Sequence, residues 1–118
     1  MHPLNYSVSV IIIGDETIRV EPFVLFKGEN SLVAVGNVMP GGHASYGSYF
    51  NKPQRDITLR WKSLKTGKTG QASVVLELPK QFTRKRGKVI NFHITPAEQK
   101  AWVTYEVLDA SGEFKEIK

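Results

Sequence analysis

Hydrophobic and polar residues alternate along most of this chain with a period of two. In the segment DITLRWKSL, Ile57, Leu59 and Trp61 fall on one face and polar residues on the other, as a half-buried strand requires. After KTGK, the segment ASVVLELP repeats the alternation. Two alternating runs joined by a short turn that contains glycine predict a β-hairpin.

A second pair of alternating runs occupies the C-terminal third of the chain. The segment KVINFHI places Ile90, Phe92 and Ile94 on one face, and AWVTYEVL follows after a short interruption. Pro96 begins that interruption, and proline suits the first position of a single helical turn. The turn DASG then leads into a final short strand over residues 113–117.

The N-terminal third shows the same alternation less regularly. Tyr6, Val8 and Val10 alternate with serines before the apolar residues 11–13. The segment IRVEPFVLF continues the pattern, but Pro22 has no N–H to donate, so we expect a sheet edge or a bulge there. SLVAVGNV predicts one further strand.

These patterns indicate one all-β domain over residues 1–118. No segment has a convincing helical period, and the spacing predicts seven to eight short strands in a small antiparallel β-sandwich, immunoglobulin-like or transthyretin-like. A five-stranded oligonucleotide-binding barrel is the alternative, although it needs fewer strands. A chain of 118 residues with 41% hydrophobic residues is long enough to bury one core.

The segment GGHASYGSYFNKP, residues 41–53, is predicted to be a long loop between strands. It contains three glycines and three aromatic residues. Aromatic side chains on a loop held by a rigid sheet can anchor a protein partner, or can close one end of the sandwich. His43, Tyr46, Tyr49 and Phe50 are therefore candidate partner-binding residues.

Basic residues are concentrated between residues 52 and 88, where eleven basic and two acidic residues give a net charge of +9. The run PKQFTRKRGK joins two predicted strands and contains Arg84, Lys85 and Arg86. Three interpretations remain open: an electrostatic docking site for an acidic protein, a phosphate-contacting loop for nucleic acid, or a solubilising loop. A single-strand binder also needs exposed aromatic platforms, and only Phe82 lies in this run.

The sequence does not indicate catalysis, a metal or a cofactor. TGKTG lacks the earlier glycine and the following helix of a phosphate-binding loop, and the three histidines are scattered. No serine lies in a nucleophile elbow, and there is no cysteine. We therefore expect a protein that binds rather than an enzyme, with no catalytic or metal-ligating residues.

The central part of the chain resembles small bacterial lipoproteins of uncharacterised-domain families found beside type VI secretion effectors. The resemblance rests on the glycine-rich aromatic segment, then LRWKSLKTGK, then LELP at the end of a strand, then VINFHITP and AWVTYEV. It covers roughly residues 38–108. The first third of the chain adds only its strand pattern.

This resemblance implies an immunity protein that binds and neutralises a cognate secreted antibacterial toxin. It also implies a periplasmic location and a lipid anchor on an N-terminal cysteine. Residues 1–118 contain neither that cysteine nor a leader pattern, so both are expected to precede this sequence. A nucleic-acid-binding β-domain that uses residues 80–88 is the alternative.

Overall fold

The structure, a computed structural model, describes residues 5–83 and 87–117, without the side chains of His43, Ser48 and Thr83. Eleven strands follow one another along these residues: β1 Tyr6–Ile12, β2 Ile18–Val20, β3 Phe23–Val24, β4 Leu32–Val33, β5 Gly36–Val38, β6 His43–Tyr49, β7 Asp56–Ser63, β8 Thr69–Val75, β9 Lys88–Thr95, β10 Lys100–Leu108 and β11 Phe114–Ile117. Short 3-10 turns cover Lys80–Thr83 and Pro96–Glu98. Within these residues, no helix has the length and apolar character needed to cross a membrane.

The strands form two main sheets that pack as an all-β sandwich, as predicted. The five-stranded sheet has the order β11-β10-β9-β1-β6, and the four-stranded sheet has the order β5-β2-β7-β8. Strands β3 and β4 form a separate two-stranded ribbon. The structure describes eleven strands, more than the seven to eight predicted, because two predicted N-terminal strands are each divided and β6 lies in a predicted loop.

One pairing departs from the antiparallel prediction. Strands β1 and β9 lie side by side in parallel, with Val8 opposite Ile90 and Ile12 opposite Ile94. A parallel pair needs a long connection, and here most of the chain separates the two strands. Local alternation carries no information about that choice, because a strand alternates in the same way in either direction.

The alternating apolar residues form the core between the two sheets. Leu59, Ile90 and Phe92 have no measurable exposure, and Trp61 is only 2% exposed. Phe92 meets Phe23 edge to face with ring centroids 5.2 Å apart, and the Tyr105 hydroxyl accepts the Glu77 N–H at 2.8 Å. Removing a side chain as buried as Leu59 costs about 2–5 kcal/mol.

Two of the N-terminal strand predictions are wrong in detail. Pro22 lies in no strand, because β2 ends before it and β3 begins after it. Strand β2 is not a sheet edge either, because it lies between β5 and β7. SLVAVGNV is not one strand but contains both β4 and β5. Gly36 has a φ of +77° at the start of β5, a conformation that glycine adopts without steric cost.

The loop predicted over residues 41–53 is also wrong, because His43–Tyr49 is the edge strand β6. It pairs with β1, and the register shifts between Tyr6 and Val8, which face Tyr49 and Tyr46. The extra residue on the β6 side makes this a β-bulge. At Gly47, φ is +153° and a Cβ would lie 2.7 Å from the Ser7 Cα, so only glycine fits.

Candidate functional site

The bulge turns two of the candidate aromatic residues towards the core. Tyr46 packs against the core, and its hydroxyl donates to the Val35 carbonyl at 2.7 Å. Tyr49 lies 5.8 Å from the Tyr6 ring and 6.4 Å from the Phe26 ring. Burial raises the pKa of the Tyr49 hydroxyl, and neighbouring Tyr46 acts in the same direction. Both tyrosines thus help to close this end of the sandwich.

Phe50 is the candidate aromatic residue that remains accessible. Its side chain is 53% exposed, directly after β6. Together with Tyr46 and Tyr49, it lines an open depression of about 700 Å³. Across from these rings lie Glu29 and Asn30 of the loop between β3 and β4. The structure therefore brings three of the predicted residues together, with one of them available to a partner.

The other candidate residues are described in part or not at all. The backbone of His43 begins β6 opposite Ile11, but its side chain lies outside the described atoms. Arg84, Lys85 and Arg86 also lie outside the described residues. Their proposed role in docking an acidic partner stays a prediction.

The exposed indole of Trp102 lies elsewhere, on the outer face of the five-stranded sheet. The ring is 41% exposed and stacks on His93, with centroids 5.1 Å apart and planes 3° from parallel. Trp102, His93, Ile11 and His43 occupy successive strands in one row. Three strand spacings of about 4.8 Å place Trp102 roughly 14 Å from β6, so it is not adjacent to the glycine-rich segment.

The surroundings of His93 in this row favour the neutral form of its imidazole. Its Nε2 lies 2.7 Å from the Thr104 hydroxyl. Burial lowers the pKa of His93, while the carboxylates of Glu116 and Glu106 act in the opposite direction. Asn91 donates to Glu106 at 2.8 Å. This outer face is therefore a network of satisfied polar groups beside one exposed indole.

The outer face of the four-stranded sheet carries three exposed cationic side chains: Arg19 in β2, and Arg60 and Lys62 in β7. We call this set the basic face. Arg19 and Lys62 are direct cross-strand partners. Arg60 lies two residues from Lys62 on the same face, opposite Gln71 of β8.

The cations of the basic face form no ion pair with another described residue. Glu21 is the adjacent acidic residue; its N–H donates to the Arg60 carbonyl at 2.8 Å. Like charges directly opposite each other on neighbouring strands destabilise a sheet by about 0.2–1 kcal/mol. The Arg19–Lys62 pair is therefore unfavourable in the isolated domain.

A further cation, Lys88, faces the interior. Its side chain is 6% exposed, and Nζ lies 5.8 Å from the centroid of the Phe82 ring. Burial lowers the pKa of its ammonium group. The contact with the aromatic face offsets part of the cost of removing this charge from water.

The described residues include no group of three or more histidine, aspartate or glutamate side chains placed to hold a metal ion. No protein-family model matches the chain, and no curated protein matches it. It is similar to the NMR structure of a protein from Eubacterium rectale, with a TM-score of 0.55 over 85% of this chain and 86% of that chain. The two are 7% identical, so the similarity concerns the fold alone.

Sequence reasoning missed Arg19 as a functional candidate, because it searched for dense basic runs. Arg19 is isolated in sequence and joins Lys62 only through the register of β2 and β7. The available signal was its outward position between the apolar residues Ile18 and Val20. Pairing that position with the polar face of DITLRWKSL required the sheet order.

Proposed function

We propose that this domain is an immunity-type protein that binds a cognate secreted antibacterial toxin and neutralises it by contact, without catalysis. The observation that carries this proposal is the cross-strand pair of like charges, Arg19 and Lys62, on an open sheet face, with no ion pair to another described residue. An acidic surface of the toxin would occupy the basic face, and Phe50 would serve a second contact at the end of the sandwich. In this proposal the protein is periplasmic and anchored by a lipidated cysteine upstream of this sequence.

Electrostatics supports a protein partner in particular. A row of exposed cations accelerates association with an acidic surface and selects against basic partners. The cations project from a rigid sheet, so binding has to order their side chains but not the backbone. Arg19 and Lys62 are both cations, although a neutral or acidic residue at either position would make the isolated domain more stable.

Co-expression with the product of the adjacent gene tests the proposal. We expect this protein to restore growth of cells that carry that product in the periplasm, and the two proteins to elute as one complex on gel filtration. Lys62→Glu should weaken the complex at least tenfold. Absence of both protection and complex would refute the proposal.

A matched control separates the basic face from net charge. Lys100→Glu lowers the net charge from +5 to +3, as does Lys62→Glu, but Lys100 is exposed on the opposite sheet, across from Thr95. We expect the Lys100→Glu complex to keep its affinity within about threefold at a Debye length of about 8 Å. Equal losses in both variants would show that the basic face is not the contact.

Nucleic acid is the second candidate ligand, favoured by the neutral polar groups beside the cations. Asn37 is opposite Arg19, and Gln71 is opposite Arg60. Titration of a fluorescent single-stranded oligonucleotide at 20 and 200 mM salt tests it. Binding that weakens steeply with salt, with a slope reduced by about one in Lys62→Glu, would support nucleic acid. A flat titration at low salt would exclude it.

A further inference from the structure

The free edges of the two sheets differ in how they are protected. Native proteins blunt exposed edges by short strands, charges, prolines or bulges, because an open edge pairs with other strands. Strand β5 has only three residues, and β11 has four, including Lys115 and Glu116. Strand β6 is bulged at Gly47. Each of these three edges carries a protective feature.

Strand β8 is an edge without such a feature. Its seven residues, TGQASVV, include no charge and no proline. All seven pair with β7 in one continuous register, from Thr69 opposite Lys62 to Val75 opposite Asp56. A regular, uncharged edge of this length is a template for strand addition.

The backbone hydrogen bonds at the two ends of the β7–β8 pair show which N–H and C=O groups of β8 are free. The Leu76 N–H donates to the Arg55 carbonyl at 2.6 Å, and the Ser63 N–H donates to the Lys68 carbonyl at 2.8 Å. In an antiparallel pair, alternate residues bond to the neighbour, so the even-numbered residues of β8 bond to β7. The odd-numbered residues direct their N–H and C=O groups to the open edge: Thr69, Gln71, Ser73 and Val75.

These free groups are accessible and uncommitted. Their residues are all exposed, and Val75 is 49% exposed. Among the described residues, no backbone hydrogen bond engages the free N–H or C=O groups of this edge. The Ser73 hydroxyl lies 3.2 Å from that of Thr58 on β7, which leaves the Ser73 backbone free.

We propose that β8 pairs antiparallel with β8 of a second copy, so that the two four-stranded sheets become one eight-stranded sheet across a two-fold axis. One register uses every free group: Thr69 opposite Val75 of the second copy, and Gln71 opposite Ser73. It forms four hydrogen-bonded residue pairs, each with two bonds. A slip of two residues in either direction loses one of those pairs. Ala72 then lies opposite its own copy on the axis.

The charges at the two ends of β8 suit this arrangement. Lys68 precedes the strand, and Glu77, which pairs with Arg55 at 3.6 Å in its own copy, follows it. Antiparallel pairing therefore brings the cation of one copy beside the carboxylate of the other. The two β7 strands that carry Arg60 lie three strand spacings apart, about 14 Å. That distance exceeds the Debye length of about 8 Å at physiological salt. The dimer also joins two basic faces into one surface.

Cysteine trapping tests the pairing and its register, since the chain has no cysteine of its own. A residue opposite its own copy in a non-hydrogen-bonded pair has a Cα–Cα distance of about 4.5 Å, which a disulfide spans. We expect Ala72→Cys to give a disulfide-linked dimer with oxidised glutathione. Ser73→Cys lies diagonally from its copy, about 7–8 Å away, and should cross-link at least tenfold more slowly.

Sedimentation velocity of the unmodified chain gives the second readout. Strand pairing alone buries less than a standard interface, so we expect dimers at about 100 μM and monomers at about 1 μM. Ser73→Pro removes one free donor without touching the β7 ladder and should abolish the dimer, whereas Ser73→Ala should keep it. Monomers at every concentration, or equal cross-linking rates for Ala72→Cys and Ser73→Cys, would overturn the proposal. A monomer that binds only partner peptides at β8 would also overturn it.

Discussion

The bulge at Gly47 makes a quantitative prediction about the substitution Gly47→Ala. At a φ of +153°, an alanine is strained by about 1–3 kcal/mol. Its Cβ would also lie 2.7 Å from the Ser7 Cα and 3.2 Å from the Tyr6 carbonyl oxygen. Because these are main-chain atoms of β1, relief requires movement of a paired strand, which costs about 1–3 kcal/mol more. We expect a loss of about 3 kcal/mol, roughly a hundredfold in the folding equilibrium.

Urea denaturation followed by fluorescence measures this loss, since the indole of Trp61 is buried. The matched control is Gly36→Ala, where φ is +77° and a Cβ meets nothing within 4 Å. In that variant the free energy of unfolding should fall only by the cost of a positive φ for alanine, about 1–2 kcal/mol. If Gly47→Ala lost no more than Gly36→Ala, the close approach of β6 to β1 would not be as described.

Three further substitutions test the electrostatics of the fold. The pKa of His93 is lowered in the folded state. Its contribution to stability is therefore complete above the unfolded pKa of about 6.5 and is lost as the pH falls towards the folded pKa. In urea titrations between pH 7 and 5, His93→Gln should remove this loss of stability. Lys88→Met should raise the free energy of unfolding by about 1 kcal/mol, because a buried charge is replaced by an apolar chain of similar length. Unchanged or reduced stability would show that the contact with Phe82 outweighs the cost of burying the charge. The pKa of Asp109 is lowered to about 2, mainly by the Ser111 hydroxyl. The stability that the Asp109 carboxylate supplies is therefore present above pH 4 and lost as the pH falls towards 2. Asp109→Asn should lower thermal stability at pH 7 and flatten this acid dependence.

The central strands could be predicted from the sequence because they bury one face and expose the other. Ile57, Leu59 and Trp61 in β7 and Phe92 in β9 are buried as the alternation indicates. The single turn at Pro96 also forms as predicted. In each case the deciding information lies within a few neighbouring residues.

Strand β6 could not be predicted, because its bulge breaks the alternation. Tyr46 and Tyr49 are three residues apart, yet both pack towards the core, since the extra residue at Gly47 shifts the phase. The pattern therefore resembled a loop rich in glycine and aromatic residues. The same limit applies to the basic face, since Arg19 and Lys62 meet only through long-range strand pairing.

The most direct test of the proposed function combines two measurements on Lys62→Glu. The new carboxylate would face Arg19 across the sheet, so the free energy of unfolding should rise by about 0.2–1 kcal/mol. Binding of the adjacent gene's product should weaken at least tenfold in the same variant. A more stable domain that binds less well is the result we predict, and a variant with unchanged affinity would contradict the assignment of the basic face to the toxin.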